Sequence, residues 1–166
     1  MRPGHQADSA PELRVSHWFN SDKPITLDEL RGKVVFIHAF QMLCPACVMS
    51  AMPQAVRMWL NYRQGPHSEA LVVLGLHTVF EHHHVMTPAA LEVYLHEFRV
   101  PFPVAFDAPE GNGSIPHTMR AYGTQGTPTT LLIDAAGRLR KHHFGIEPDQ
   151  QLIADIDQLI AEQAVR

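Results

Sequence analysis

Cys44-Pro45-Ala46-Cys47 holds both cysteines of the chain. Three residues of separation is close to one helical turn, so the two sulfurs can meet and close a disulfide. A cysteine at the first turn of a helix lies beside unpaired backbone N–H groups and the positive end of the helix dipole, and both favour a thiolate. Pro45 fits the first helical position, where its missing N–H costs nothing. The chemistry this arrangement supports is thiol–disulfide exchange. Cys44 attacks a disulfide, a mixed disulfide forms, and Cys47 resolves it. The same two residues have other readings. A CxxC can be half of a zinc site, although no second CxxC is present, and two cysteines can be plain buried residues.

Such a pair must be carried by a strand and a helix, and the flanking sequence supplies both. Val34 to Phe40 is a nearly continuous apolar run rich in β-branched residues, the pattern of a central strand buried on both faces. From Cys47 to about Arg63 the chain reads as a helix. Leu71 to Leu76 reads as a second buried strand, and Thr87-Pro88 opens a helix to about Phe98 with Leu91, Tyr94, Leu95 and Phe98 on one stripe. Pro103 to Phe106 is a short strand and Pro116 to Tyr122 a short helix stopped by Gly123. Thr129–Ile133 and Leu139–Phe144 flank the turn Asp134-Ala135-Ala136-Gly137 as a hairpin. A helix over 149–163 closes the chain. Thr26 and Glu29 form a capping-box pattern, and residues 12–18 fit an edge strand. Residues 1–11 read as a loose tail, and residues 12–166 as one domain. Strands alternating with helices, with a late hairpin, specify an α/β fold on a mixed, mainly parallel sheet flanked by helices.

Four segments occur in the order seen in one known family: Asp28-Glu29-Leu30-Arg31-Gly32-Lys33-Val34-Val35, the CPAC motif, Gly126-Thr127-Pro128-Thr129-Thr130, and Ile133-Asp134-Ala135-Ala136-Gly137-Arg138. Over roughly residues 13–164 the chain resembles the TlpA-like thiol–disulfide oxidoreductases, in the redoxin group of the thioredoxin-fold superfamily. The resemblance implies a thioredoxin-like fold with an N-terminal extension and an inserted helix–strand unit. It implies that Thr127-Pro128 is a cis-proline loop facing the cysteines, with the Thr127 backbone pairing to an extended substrate. Leu43, Pro45 and Ala46 complete the candidate substrate-binding set around the first cysteine. His38, six residues before Cys44, stands where thioredoxins carry an acidic residue that helps proton transfer to the resolving cysteine; a histidine can do this near neutral pH. Glu81 lies in the region where some TlpA-like proteins place a carboxylate near the site. Both residues also have plain readings, as a satisfied core histidine and a solvated loop charge. The chain departs from the family at Leu43, where a tryptophan is usual, and at Pro53, one residue later than usual.

The implied activity is disulfide reduction or exchange on protein partners, recycled by a thiol reductant, with no cofactor and no resident metal. Two alternatives compete. Peroxiredoxins share the fold, but their Pro-x-x-x-Thr/Ser-x-x-Cys pattern is absent from Ile37-His38-Ala39-Phe40-Gln41-Met42-Leu43 before Cys44. A copper or zinc carrier would use both thiolates with His77 or a histidine of His82-His83-His84. His142 and His143 are adjacent in a strand and cannot face one ion from the same surface.

Composition narrows the class further. The 166 residues are 45% apolar and 18% charged, which fits one globular domain. A net charge of −4 argues against nucleic acid or an anionic membrane as the main partner. Two cysteines do not make a disulfide scaffold. The first residues lack the apolar run of a secretory signal, and the uncharged stretch Val34–Val56 is broken by prolines and polar groups. The expectation is a cytoplasmic protein, or a periplasmic one if a leader is missing.

Overall fold

A computed structural model describes residues 8–164. Six strands form one sheet in the order β1-β4-β3-β2-β5-β6. They are β1 (Val15–Phe19), β2 (Val34–Phe40), β3 (Leu71–His77), β4 (Val104–Asp107), β5 (Thr129–Ile133) and β6 (Leu139–Phe144). The helices are α1 (Met52–Arg63), α2 (Pro88–Glu97), α3 (His117–Tyr122) and α4 (Asp149–Ala164). The thioredoxin-like α/β expectation is met, with the N-terminal β1 pairing to the β4 of the inserted α2–β4 unit at one sheet edge. The expectation of a mainly parallel sheet is corrected. Only β2–β3 and β3–β4 are parallel, while β1–β4, β2–β5 and β5–β6 are antiparallel. The physical reason is the route into β5: the chain leaves β4 and enters β5 at the same end of the sheet, beside the last residues of β2, so β5 runs in the opposite direction.

β2 is buried along its whole length and divides the core. Val34, Phe36 and Phe40 face a cluster with Met52, Ala55 and Met58 of α1, Leu91 and Leu95 of α2, and Leu152, Ile156 and Leu159 of α4. Val35, Ile37 and Ala39 face the other cluster, with Leu131 and Ile133 of β5 and Tyr122 of α3. The Val, Leu, Ile, Phe and Met side chains among them contribute about 1.5–3 kcal/mol each when fully buried. Gly75 lies opposite His38 in the β2–β3 register. A Cβ there would meet Val104 Cγ2 at 2.9 Å and Phe40 at 3.3 Å, so β3 approaches its neighbours too closely for any larger residue.

Several local expectations are met. The Glu29 N–H donates to Thr26 Oγ1, and the Thr26 N–H to the Glu29 carboxylate. Thr87 Oγ1 caps α2 by accepting from the Ala90 N–H at 3.2 Å. Residues 1–7 of the expected tail lie outside the described residues. Residues 8–11 are not loose: the Leu139 N–H donates to Asp8, the Ala10 N–H to Gly137, and Tyr122 Oη to the Pro11 carbonyl. Backbone pairing to the turn before β6 holds this segment in place, with Ser9 bridged to Arg138.

Candidate active site

The carboxyl end of β2 carries the motif. The helix following it opens with an α-turn, the Val48 N–H donating to the Cys44 carbonyl at 3.0 Å, and then widens. Cys47–Ala51 forms a π-helical turn in which the Met52 N–H donates to the Cys47 carbonyl, and α1 follows with Pro53 in its first turn. A proline there has no N–H to close an α-turn. A π-turn takes up one residue more than an α-turn. It therefore accommodates Pro53 one position later than the usual spacing.

Because β5 runs antiparallel to β2, its first residues lie beside the last residues of β2, with Ala39 opposite Thr129. This topology brings the Thr127-Pro128 loop against the CxxC. The Thr127–Pro128 peptide is cis. The Thr127 carbonyl accepts from Cys44 Sγ at 3.6 Å. Cys44 is half-buried, whereas Cys47 is wholly buried. The Cys47 backbone N–H donates to Cys44 Sγ at 3.3 Å, and the Cys47 thiol donates to the same sulfur at 2.7 Å. Burial first, and then the hydrogen bond to Cys44, pushes the Cys47 thiol up to about 12. Cys47 thus stays protonated and donates, while Cys44 receives both hydrogen bonds.

Of the other candidates, Thr127 and Pro128 stand beside the sulfur, and Leu43, Pro45 and Ala46 are exposed around it, Leu43 by 53%. His38 is buried in β2, its ring stacked on Phe40 at 5.2 Å. Burial lowers its pKa to about 3, and its Nε2 has no partner among the described residues. Glu81 is exposed and, among the described residues, is linked to the motif through Gln41, whose Nε2 donates to its carboxylate at 3.4 Å. His82, His83 and His84 are exposed, and His83 Nε2 contacts the Ser114 carbonyl at 3.0 Å. Among the described residues no three His, Cys, Asp or Glu side chains converge to hold a metal ion. His142 and His143 pair with Leu131 and Thr130 respectively and so fall on opposite faces.

Three residues outside the sequence-derived redox site belong to its surroundings, and of them only His77 is a sequence-derived candidate, as a ligand for a carried metal. Gln41 is buried, and its Oε1 accepts from the Phe80 N–H at 3.2 Å. His77 is buried, and its Nε2 accepts from the Met42 N–H at 3.1 Å. Tyr94 carries a buried hydroxyl without a partner among the described residues. Its pKa is pushed up to about 12, by burial first and then by its nearness to the Cys47 and Cys44 sulfurs. The signal for Gln41 and His77 was their polarity within apolar runs. Tyr94 sat on the apolar stripe of α2 with nothing in its spacing to mark it.

No protein-family model matches the chain. A crystal structure of a thioredoxin-like superfamily protein is 52% identical, covering 92% of this chain and 96% of that one, with a TM-score of 0.85. This chain belongs to the thioredoxin-like superfamily. A thiol-disulfide isomerase from Corynebacterium glutamicum is 43% identical over 92% of this thioredoxin-like chain and 97% of its own, with a TM-score of 0.84. Protein DipZ of Mycobacterium bovis is 31% identical over 140 residues, 82% of this chain. The thioredoxin-like chain spans 18% of the length of DipZ. The family resemblance drawn from the four motifs is therefore borne out. These relatives lend no support to the peroxidase or metal-carrier alternatives. Among the described residues of this thioredoxin-like protein, no helix is long and apolar enough to cross a membrane.

Proposed function

We propose that the chain is a thiol–disulfide oxidoreductase acting on disulfides of protein partners. The observation that carries this reading is the geometry at one sulfur. Cys44 Sγ is half-buried, accepts two hydrogen bonds from Cys47, and lies 3.6 Å from the carbonyl preceding the cis-proline. The Cys44 thiolate attacks one sulfur of a substrate disulfide, an S–S bond forms between them, and the other substrate sulfur leaves as a thiolate. Cys47 then gives up its proton and attacks Cys44 Sγ. The Cys44–Cys47 disulfide forms, the second substrate sulfur leaves, and that proton ends on a substrate thiolate. A thiol reductant restores the dithiol, and no further cofactor takes part.

In this reading Thr127 and Pro128 align an extended substrate segment, and Leu43, Pro45 and Ala46 form the rim it meets. His38 offers an unpaired nitrogen to the proton in transit from Cys47. Held neutral by burial, it is a weak base and keeps that proton only briefly. Glu81, reached through Gln41, is the solvent end of the route.

The test is reduction of a disulfide peptide together with trapping from extract. Cys44→Ser abolishes turnover, and Cys47→Ser accumulates mixed disulfides at Cys44. Turnover persisting in Cys44→Ser defeats the reading. The direction of the reaction, and with it the compartment, follows from the potential of the pair. A value near about −270 mV fits a reductant in a reducing compartment such as the cytoplasm, and one near about −120 mV fits an oxidant outside it.

A further inference from the structure

We propose that His77 is a positioning residue for Cys44, its neutral imidazole holding the turn from which the attacking sulfur projects. This rests on Cys44 being the nucleophile, as proposed above. Met42 stands two residues before Cys44, and its buried backbone N–H donates to His77 Nε2 at 3.1 Å. The Cys44 N–H donates to the Gln41 carbonyl at 3.1 Å and closes the turn. His77 is the last residue of β3, and the segment after it continues the grip. The Thr78 N–H donates to the Phe40 carbonyl at 3.1 Å, the Phe80 N–H to Gln41 Oε1 at 3.2 Å, and Gln41 Nε2 to Glu81. The chain leaving β3 thus clasps the chain leaving β2 by backbone and side chain together.

The hydrogen bond also fixes the state of the ring. Met42 supplies the hydrogen, so Nε2 carries the lone pair and the proton sits on Nδ1. Nδ1 has no partner among the described residues. The ring is walled by Phe40, edge-on with centroids 5.1 Å apart, and by Phe106 at 5.3 Å. A leucine would suit those walls better and would leave no polar nitrogen unpaired. What a leucine cannot do is accept from Met42. Without that acceptor a buried N–H is left orphaned, and the turn reorients to satisfy it. Cys44 then shifts relative to the Cys47 N–H, 3.3 Å away, and the Thr127 carbonyl, 3.6 Å away. Both contacts set where the attacking sulfur sits.

The experiment compares the full chain with His77→Leu and His77→Gln. Gln places a carbonyl oxygen near the position of Nε2 and so keeps an acceptor for Met42. Three quantities are read: the rate of Cys44 alkylation by iodoacetamide against pH, the reduction potential of the pair, and the melting temperature. In His77→Leu the alkylation rate at pH 7 falls about fivefold, the equivalent of one net hydrogen bond, and the potential moves. His77→Gln keeps the wild-type rate even where its melting temperature drops as far. If both variants slow Cys44 equally, or if His77→Leu leaves rate and potential unchanged, the inference is overturned. Should His77→Leu not fold, His77→Asn replaces it, since its amide is too short to reach Met42, and the same two outcomes decide. A wild-type chain that reduces no disulfide sinks the function reading alone, because alkylation still reports how His77 holds the sulfur.

Discussion

Cys44 and Cys47 have identical side chains and opposite surroundings. Cys47 is enclosed and donates to Cys44, and burial raises its pKa to about 12, so near neutrality it is a thiol. Cys44 is half-buried and receives both of Cys47's hydrogen bonds. Alkylation depends on the thiolate and on access; Cys47 is a buried thiol, whereas Cys44 is half-buried. At pH 6–7, iodoacetamide is expected to label Cys44 and to spare Cys47, read by peptide mass spectrometry after unfolding. Equal labelling would show that the helix start activates neither sulfur.

At the scale of elements, the close approach of β3 to β4 brings the sheet end together beneath the motif. Gly75 permits it, because a Cβ would sit 2.9 Å from Val104 Cγ2. Gly75→Val forces these strands apart and is expected to cost about 1–3 kcal/mol, the range for overpacking a filled core. Urea denaturation of the dithiol form checks this, and an unchanged midpoint would mean that β4 yields without cost. The ties between α1 and α4 act on the same sheet face. Arg57 holds Asp149 with two nitrogens, at 2.6 and 2.9 Å, and Gln54 Nε2 donates to the Asp149 carboxylate at 2.8 Å. They anchor the helix that begins at the cysteines.

For the whole molecule, two imidazoles in one core set the response to acid. Burial holds His38 and His77 to pKa values of about 3. In the unfolded chain they titrate near their ordinary value of about 6.5. The folded state therefore binds fewer protons than the unfolded state. The stability is complete above about pH 6.5 and is lost as pH falls toward 3, by up to about 1.4 kcal/mol per pH unit for each histidine. Asp134, Asp149 and Glu162 are also held below their ordinary range by Arg138, Arg57 and Arg140, but their loss comes lower, beneath about pH 4. His38→Leu, which orphans no hydrogen-bond partner among the described residues, is expected to flatten the fall in stability between pH 6.5 and 4.5. Parallel denaturation curves for the two proteins across that range would contradict this.

The primary structure by itself determined the elements and the pair of sulfurs. Apolar period, caps and turn residues are local properties. β2, the Thr26–Glu29 capping box, the Thr87 cap and the Asp134–Gly137 turn could therefore be read directly from adjacent residues. Cys44 and Cys47 were legible for the same reason, since one helical turn joins them. The parallel or antiparallel sense of β5, the docking of residues 8–11 and the π-turn before Pro53 depend on where distant segments meet. So do the opposite surroundings of the two thiols and the clasp of His77 on Met42, which joins residues 35 positions apart. Burial and hydrogen-bond partners exist only once the sheet has assembled. Those features were decided by the tertiary structure.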